Sequence, residues 1–330
     1  MIKVGIIGFG KMGQIRSNAL RESKRAEIVS VYDVNPIDNP PAPIAGSETE
    51  IINNSKIDAI FICTPNFRNK ALAIEALNAG KHVFCEKPPA FHAAEVEEIR
   101  KSEAATNGKK LMYGFNHRHH ASIVHMKQII DSGEMGSILW MRGRYGKEVD
   151  ESFLNGWRAN KELSGGGIML DQGIHMLDLF LHLGGEFDEV KAFVSNLYWK
   201  IKGVEDNVFA ILRSSKSGIC ASLHSTMTQW RYLFSLEIFL EEGALILNGL
   251  KTSSGAYGDE NLTIKRNSPE STLGKFESEE NITFHIDHSW LSEINHFIDS
   301  IQNDTAIAYG NSQSALKLMQ VIDTIYSSDY

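Results

Sequence analysis

Short β-branched runs alternate with segments of helical spacing over the first third of the chain, and a series of strands takes over after that. Ile2 to Ile7 is an apolar run, and Met12, Ile15, Ala19 and Leu20 recur after it at the spacing of one helix face. The pair of patterns repeats, with strands at Ile28 to Tyr32, Ala59 to Cys63, His82 to Cys85 and Leu111 to Phe115, and helices at Arg68 to Ala79 and Ala93 to Thr106. Such alternation predicts a doubly wound parallel α/β unit. Asn35 to Ala45, with four prolines, reads as a plain connection. After a helix around Ile123 to Ser132 the pattern changes, and Ile138 to Tyr145, Glu189 to Leu197, Asn207 to Leu212, Gly218 to Thr226, Phe234 to Leu240 and Ala244 to Leu247 read as strands separated by turn residues. Trp290 to Ile301 and Ser312 to Tyr326 read as helices. The predicted organisation is an α/β domain over 1–118, then an α+β domain over 119–330 with a large, mostly antiparallel open sheet.

Composition narrows the field of partners. With 330 residues, 42% hydrophobic and 22% charged, the chain can build two domains with cores of their own. A formal charge of −8 without a basic stripe speaks against nucleic acid and against a membrane surface. No apolar run reaches the length of a membrane span and Ile2 already opens a strand with no signal-peptide pattern, so the expected location is the cytoplasm. Cys63, Cys85 and Cys220 fall in or at the ends of apolar runs without metal-ligand spacing, which predicts buried reduced thiols and no metal.

The turn after the first strand carries Gly8-Phe9-Gly10-Lys11-Met12-Gly13, which places a GxGxxG pattern between a strand and a helix. Gly8 allows the tight turn, Gly10 lets a pyrophosphate approach the backbone, Gly13 lets helix pack on strand, and the helix N-terminus offers amides to the anion. Asp33 ends the next strand twenty residues beyond Gly13, where a carboxylate can hold both adenosine ribose hydroxyls. A 2′-phosphate would meet that carboxylate as a like charge, and Val34, Asn35 and Pro36 supply no arginine to receive it. The expected cofactor is therefore NAD rather than NADP, bound by a Rossmann domain.

Two further motifs carry chemistry. Pro88 turns Lys87 of Glu86-Lys87-Pro88 away from helical geometry at the end of a strand, where doubly wound sheets gather their ligands, although a solvated loop lysine reads the same way. Asp171 and His175 of Asp171-Gln172-Gly173-Ile174-His175 stand four apart in the helical pattern Ile168, Leu170, Ile174, Leu177 and Leu181, after Gly165-Gly166-Gly167. On one helix face the carboxylate can orient the imidazole for general-base work, or the pair can satisfy itself at a surface. No third ligand stands at a zinc-like spacing. His117, His119 and His120 read as exposed polar loop residues.

The ordered set of Gly8 to Gly13, Thr64-Pro65-Asn66, Ala79-Gly80-Lys81-His82-Val83, Glu86-Lys87-Pro88, Asn116 with Arg118, Trp157-Arg158 and the glycine-led Asp171 to His175 motif resembles the glucose-fructose oxidoreductase / inositol dehydrogenase / MocA family over nearly the whole chain. One position departs: the residue after Thr64-Pro65-Asn66 that is often His in the family is Asn69 here. The resemblance implies hydride transfer between nicotinamide and a hydroxyl or keto carbon of a sugar, cyclitol or sugar derivative, in a cleft between the domains. It implies cofactor contacts from Gly8, Phe9, Gly10, Lys11, Met12, Gly13, Asp33, Thr64, Pro65, Asn66, Glu86, Lys87 and Asn116. It implies substrate contacts from Lys87, Arg118, Trp157, Arg158, Asp171 and His175, with Lys87, Asp171 and His175 catalytic, and a homodimer or homotetramer built through the open sheet. An NADP-dependent nucleotide-sugar ketoreductase and a non-catalytic sugar- or dinucleotide-sensing regulator are the competing readings. Trp199, Asp206, His224, Trp230, Tyr232, His285 and His288 are candidate lining residues.

Overall fold

The computed structural model describes residues 1–252, 254–267 and 279–328. The α/β elements are β1 (Ile2–Ile7), α1 (Lys11–Ser23), β2 (Ala26–Tyr32), α2 (Glu48–Asn53), β3 (Ala59–Ile62), α3 (Asn69–Asn78), β4 (His82–Glu86), α4 (Ala93–Ala105) and β5 (Leu111–Gly114). Then come α5 (Ala121–Ser132), β6 (Ile138–Gly146), α6 (Lys161–Ser164), a π-helical turn (Met169–Gly173) and α7 (Ile174–Gly184). The remainder is β7 (Glu189–Ser195), β8 (Asn207–Arg213), β9 (Cys220–Thr226), β10 (Leu233–Leu240), β11 (Gly243–Asn248), β12 (Glu260–Arg266), β13 (Glu279–Phe284), α8 (Ser289–Gln302) and α9 (Ser312–Ser327). Among the described residues no helix is long and apolar enough to cross a membrane.

Two compact units divide the chain. The first comprises Met1–Asn116, Glu162–Gly165 and Ser289–Gln320. Its five strands pair in parallel in the order β2-β1-β3-β4-β5, and β3 to β5 are buried nearly throughout, as a sheet covered on both faces requires. The order reverses beside β1, so the loop after β1 opens at the topological switch point, where such sheets bind ligands. Phe61 stacks on Phe84 with ring centroids 4.8 Å apart, and Phe297 of α8 meets both rings edge-on. With Ile294 and Ile298, Phe297 makes α8 part of this core. The expected boundary at 118 gave Ser289–Gln320 to the second domain; the apolar stripe of α8 places that segment in the first.

The second unit holds one eight-stranded sheet in the order β13-β12-β11-β10-β6-β9-β8-β7, antiparallel except for β6 against β9. Helix α7 covers one face at β6 and β9, and Gly143 lets it approach: a Cβ there would lie 2.5 Å from Met176. Along β8 the alternation is strict, with Val208, Ala210 and Leu212 buried and Phe209, Ile211 and Arg213 exposed.

Helices α2 and α6 and strands β12 and β13 lie outside the sequence expectations. Helix α2 is capped by Ser47, whose side chain accepts from Glu50 N, and six residues are too few to show a period. In β12 and β13 polar residues dominate, so the alternation of Leu262 and Ile264 with Thr263 and Lys265 is a faint signal. Cys85 is buried as expected, but Cys63 is half-buried and Cys220 is exposed, because Cys220 opens β9 on the outward side of the sheet, opposite Trp140 and Arg213.

Candidate functional site

In the first unit the glycine loop runs from β1 into α1. Gly8 has φ +90, and a Cβ on it would meet the Cys63 carbonyl at 2.6 Å, so no side chain is accommodated there. A Cβ on Gly13 would lie 2.1 Å from Gly8 O, which fixes how closely α1 begins beside the strand. Around Gly10 the space is open, with nothing within 4 Å of its Cβ position. Phe9 is buried, Lys11 exposed and Met12 half-buried. Asp33 closes the loop from β2: Oδ2 accepts from Phe9 N at 2.6 Å, and Oδ1 accepts from Asn35 N at 2.9 Å. A glycine cradle with a carboxylate anchored at its rim fits NAD, and the residues that would hold the dinucleotide are Gly8 to Gly13 and Asp33.

Lys87 stands at the end of β4, half-buried, joined to Pro88 by a cis peptide bond. The adjoining side chains hold the turn rather than face a ligand. Glu86 Oε1 accepts from Arg16 Nε at 2.6 Å, and Arg16 Nη1 reaches Glu293 Oε2 at 2.5 Å. Glu86, implied by resemblance as a cofactor contact, therefore spends its carboxylate on a buried cation. Asn69 Nδ2 donates to Glu86 O at 3.2 Å and to Pro88 O at 2.8 Å, and its Oδ1 accepts from Thr64 Oγ1 at 3.3 Å. Pro65 and Asn66 are half-buried, and Asn66 Nδ2 donates to Ser164 O at 2.8 Å. Asn116 is buried with Nδ2 on Ser289 Oγ at 3.1 Å.

In the second unit Asp171 lies in the π-helical turn that precedes α7, not in a regular helix with His175. A Cβ on Gly167 would stand 2.0 Å from Glu205 O, and the buried Glu205 carboxylate accepts from Gly167 N at 2.7 Å and from Met169 N at 2.8 Å. Glu205 grips the entry segment, and because an i→i+5 turn winds less per residue than an α-helix, a spacing of four still leaves Asp171 and His175 near one side of the chain. Asp171 Oδ2 accepts from Lys147 Nζ, and Oδ1 accepts from Arg158 Nε at 3.2 Å. Arg158 is exposed and lies over the Trp157 ring, 4.4 Å from its centroid. His175 stacks on His117 with centroids 4.0 Å apart and planes 14° from parallel. His117 Nε2 pairs with Tyr145 Oη at 3.0 Å; the Tyr145 ring meets Tyr257 edge-on with centroids 5.3 Å apart, and Tyr257 Oη accepts from Gln172 Nε2. Burial pushes both phenols up, so they are neutral hydroxyls at physiological pH.

Three expectations need correction. Arg118 is buried, and its fork closes on Asp178 through Nε to Oδ2 at 2.7 Å and Nη2 to Oδ1 at 2.5 Å, so a core ion pair takes the guanidinium assigned to substrate. His117 and His120 are buried rather than exposed, His120 with Nδ1 on Glu260 at 2.9 Å; His119 is half-buried. Asp206 is buried as a turn anchor that accepts from Tyr198 N and Trp199 N, while His224 stacks on Phe209 on the outer sheet face. Of the other candidate lining residues, Trp230, Tyr232, His285 and His288 are exposed and Trp199 is half-buried. Sequence reasoning missed Lys147, Tyr145, Glu205 and the office of Asn69. Lys147 had one available signal, its place directly after a strand. Among the described residues no group of three or more His, Cys, Asp or Glu is arranged to hold a metal ion.

Comparison with known proteins agrees with this architecture. Residues 2–115 match the profile described as "Oxidoreductase family, NAD-binding Rossmann fold", and residues 123–246 match the GFO/IDH/MocA C-terminal domain. The chain is 33% identical over 193 residues to glucose-6-phosphate 3-dehydrogenase of Bacillus subtilis, covering 56% of this chain and 54% of that one. It is 31% identical over 213 residues to levoglucosan dehydrogenase of Pseudarthrobacter phenanthrenivorans, covering 59% and 54%. The matched segment thus spans about half the length of these curated relatives. A solved levoglucosan dehydrogenase in complex with NADH and L-sorbose superposes with a TM-score of 0.86 at 21% identity, covering 100% of this chain and 97% of that one. Two adjoining profiles of one family, matched in order over both units, show that the chain belongs to the GFO/IDH/MocA oxidoreductase family.

Proposed function

We propose that this protein is an NAD-dependent dehydrogenase that moves a hydride between nicotinamide and a hydroxyl or keto carbon of a sugar, cyclitol or sugar derivative. The observation that carries the reading is the Asp33 carboxylate closed onto Phe9 N at the rim of a glycine cradle, with Lys87 held at the carboxyl end of β4 in the same unit. The relatives named above act on sugars, which supports that substrate class. When bound, NAD supplies the hydride acceptor. Lys87 stabilises the developing alkoxide by its charge, an electrostatic contribution that is often the largest in a polar active site. His175 takes the hydroxyl proton, and its stack on His117 sets the plane from which it does so. Asp171, between Lys147 and Arg158, stays a hydrogen-bond acceptor for a substrate hydroxyl.

The outward sheet face supports a homodimer or homotetramer: Phe193 is 77% and Ile211 55% exposed, beside the stacked pairs Phe209–His224 and Trp140–Phe239. The cytoplasm remains the proposed location.

The test is reduction of NAD and of NADP against a panel of sugars, cyclitols, sugar phosphates and nucleotide sugars, with Lys87→Ala and His175→Ala beside the wild type. Each variant should lose on the order of a hundredfold to ten-thousandfold in kcat while binding dinucleotide nearly as before. Wild-type kcat in either variant removes that residue's role, and a wild type that binds NAD but turns over nothing favours a sensor.

A further inference from the structure

Asn69 opens α3 and is wholly buried, with an amide whose orientation is over-determined. Its Nδ2 donates to Glu86 O and Pro88 O, and its Oδ1 accepts from Thr64 Oγ1. Exchanging oxygen and nitrogen would set an acceptor against two carbonyl oxygens, so one orientation alone satisfies all three partners. The two carbonyls it grips belong to the residues on either side of Lys87. A side chain fixed to the peptide group that enters Lys87 and to the carbonyl just beyond Pro88 restrains the backbone on both sides of Lys87, and with it the direction of the Lys87 Cα–Cβ bond. The Glu86 side chain cannot do this, because its carboxylate is committed to Arg16.

We propose that Asn69 is a positioning residue for Lys87, acting through the backbone of the β4 turn and not by touching substrate. The inference rests on the reading of Lys87 as the cation that meets the reacting oxygen. Displacement of a catalytic group by about 1 Å can cost on the order of a hundredfold in rate, so the backbone grip has a kinetic consequence without any new contact to substrate. Thr64 enters as the clamp on the amide, which gives the Thr64-Pro65-Asn66 segment a task inside the fold.

A double-mutant cycle with a chemical readout tests this. Asn69→Ala should lower kcat by roughly tenfold to a hundredfold with the Kd for NAD nearly unchanged, and Asn69→Ser, which keeps one donor, should fall between. In the Lys87→Ala background the same Asn69→Ala change should alter the residual kcat by less than about threefold, because the group it positions is gone. An equal loss in both backgrounds would overturn the proposal and leave the dehydrogenase reading intact. In the protein without cofactor, acylation of Lys87 by an amine-reactive ester, followed by mass spectrometry with exposed Lys101 as internal standard, should change at least severalfold in Asn69→Ala. An unchanged Lys87/Lys101 ratio overturns it as well. The labelling needs no turnover, so an inactive wild type would refute the dehydrogenase reading while this arm still decides whether Asn69 positions Lys87. Should Asn69→Ala not fold, Asn69→Ser carries both comparisons.

Discussion

The contribution of Glu293 to the stability of the first unit should fall as pH rises from the acid range toward neutrality. Arg16 is fully buried between the rings of Phe84 and Trp290, with its guanidinium 4.4 Å and 4.7 Å from their centroids. It faces two carboxylates, Glu86 at 2.6 Å and Glu293 at 2.5 Å, so one cation serves two acids in an apolar setting. Burial works against the Arg16 charge, yet Glu293 and Glu86 hold it firmly protonated. The two carboxylates share a single compensating charge. Burial pushes Glu293 from an ordinary 4.5 up to about 7, with Arg16 opposing and Glu86 adding to the rise. Because the folded value lies above the unfolded one, the contribution is fully present below pH 4.5 and is lost as pH rises through about 7. At about 1.4 kcal/mol for each pH unit, that displacement amounts to on the order of 3 kcal/mol. Glu293→Gln keeps the shape and an oxygen for Arg16 but has no proton to lose. Urea unfolding of wild type and Glu293→Gln at pH 5, 6, 7 and 8 is the assay. The stability difference should shift in favour of the variant by roughly 2 to 3 kcal/mol between pH 5 and 8, most of it below pH 7.5. A difference that stays constant across that range refutes the reasoning and means that Glu293 remains ionised beside Arg16.

Asp33→Ser should weaken NAD and move the ratio of kcat/KM values toward NADP, since the carboxylate on Phe9 N is what a 2′-phosphate would meet; an unchanged ratio shows that Asp33 is not the selector. Asp178→Ala should destabilise the second unit by about 3 to 5 kcal/mol because it strands the buried Arg118 cation, read as a lowered thermal midpoint, and a loss under about 1 kcal/mol would contradict that burial. Phe193→Lys with Ile211→Lys should convert an oligomer to monomer in sedimentation, while a wild type that is already monomeric at micromolar concentration rules out the sheet-face interface.

The two layers of the fold were legible because period and burial agree. β1 and β3 to β5 are nearly uniform apolar runs, as strands covered on both faces must be, and β6 to β10 largely alternate, as a half-open sheet demands. Legibility ended where the outcome depended on residues far apart in sequence. Nothing local tells α8 to join the first unit; its stripe of Ile294, Phe297 and Ile298 would suit any apolar surface, and the Arg16–Glu293 pair joins residues 277 positions apart. The same holds for Arg118 and Asp178, sixty positions apart: beside a strand end an arginine looks like a ligand-binding group, and only the fold reveals the carboxylate that takes its fork.

The site motifs show the same division more sharply. Gly8 to Gly13 could be read because the demand on each glycine is local: a positive φ at Gly8 and the close approach at Gly13 follow from the turn itself. The spacing of Asp171 and His175 puts them near one side of the chain but does not name the partners each of them meets. Glu205 supplies acceptors to Gly167 N and Met169 N from thirty-eight and thirty-six positions away, and the chain enters α7 through a π turn. Asp171 meets Lys147 and Arg158 there, and His175 gains a neighbour that polarity alone had sent to the surface, His117. A residue's type and its offset from a neighbour therefore identify chemistry only as far as regular backbone extends. Beyond the first irregular turn, the partner of each polar group has to be found from the buried donors and acceptors that must be satisfied, and Asn69 is the case in point: nothing in its offset from Lys87 tells that its amide holds the carbonyls of Glu86 and Pro88.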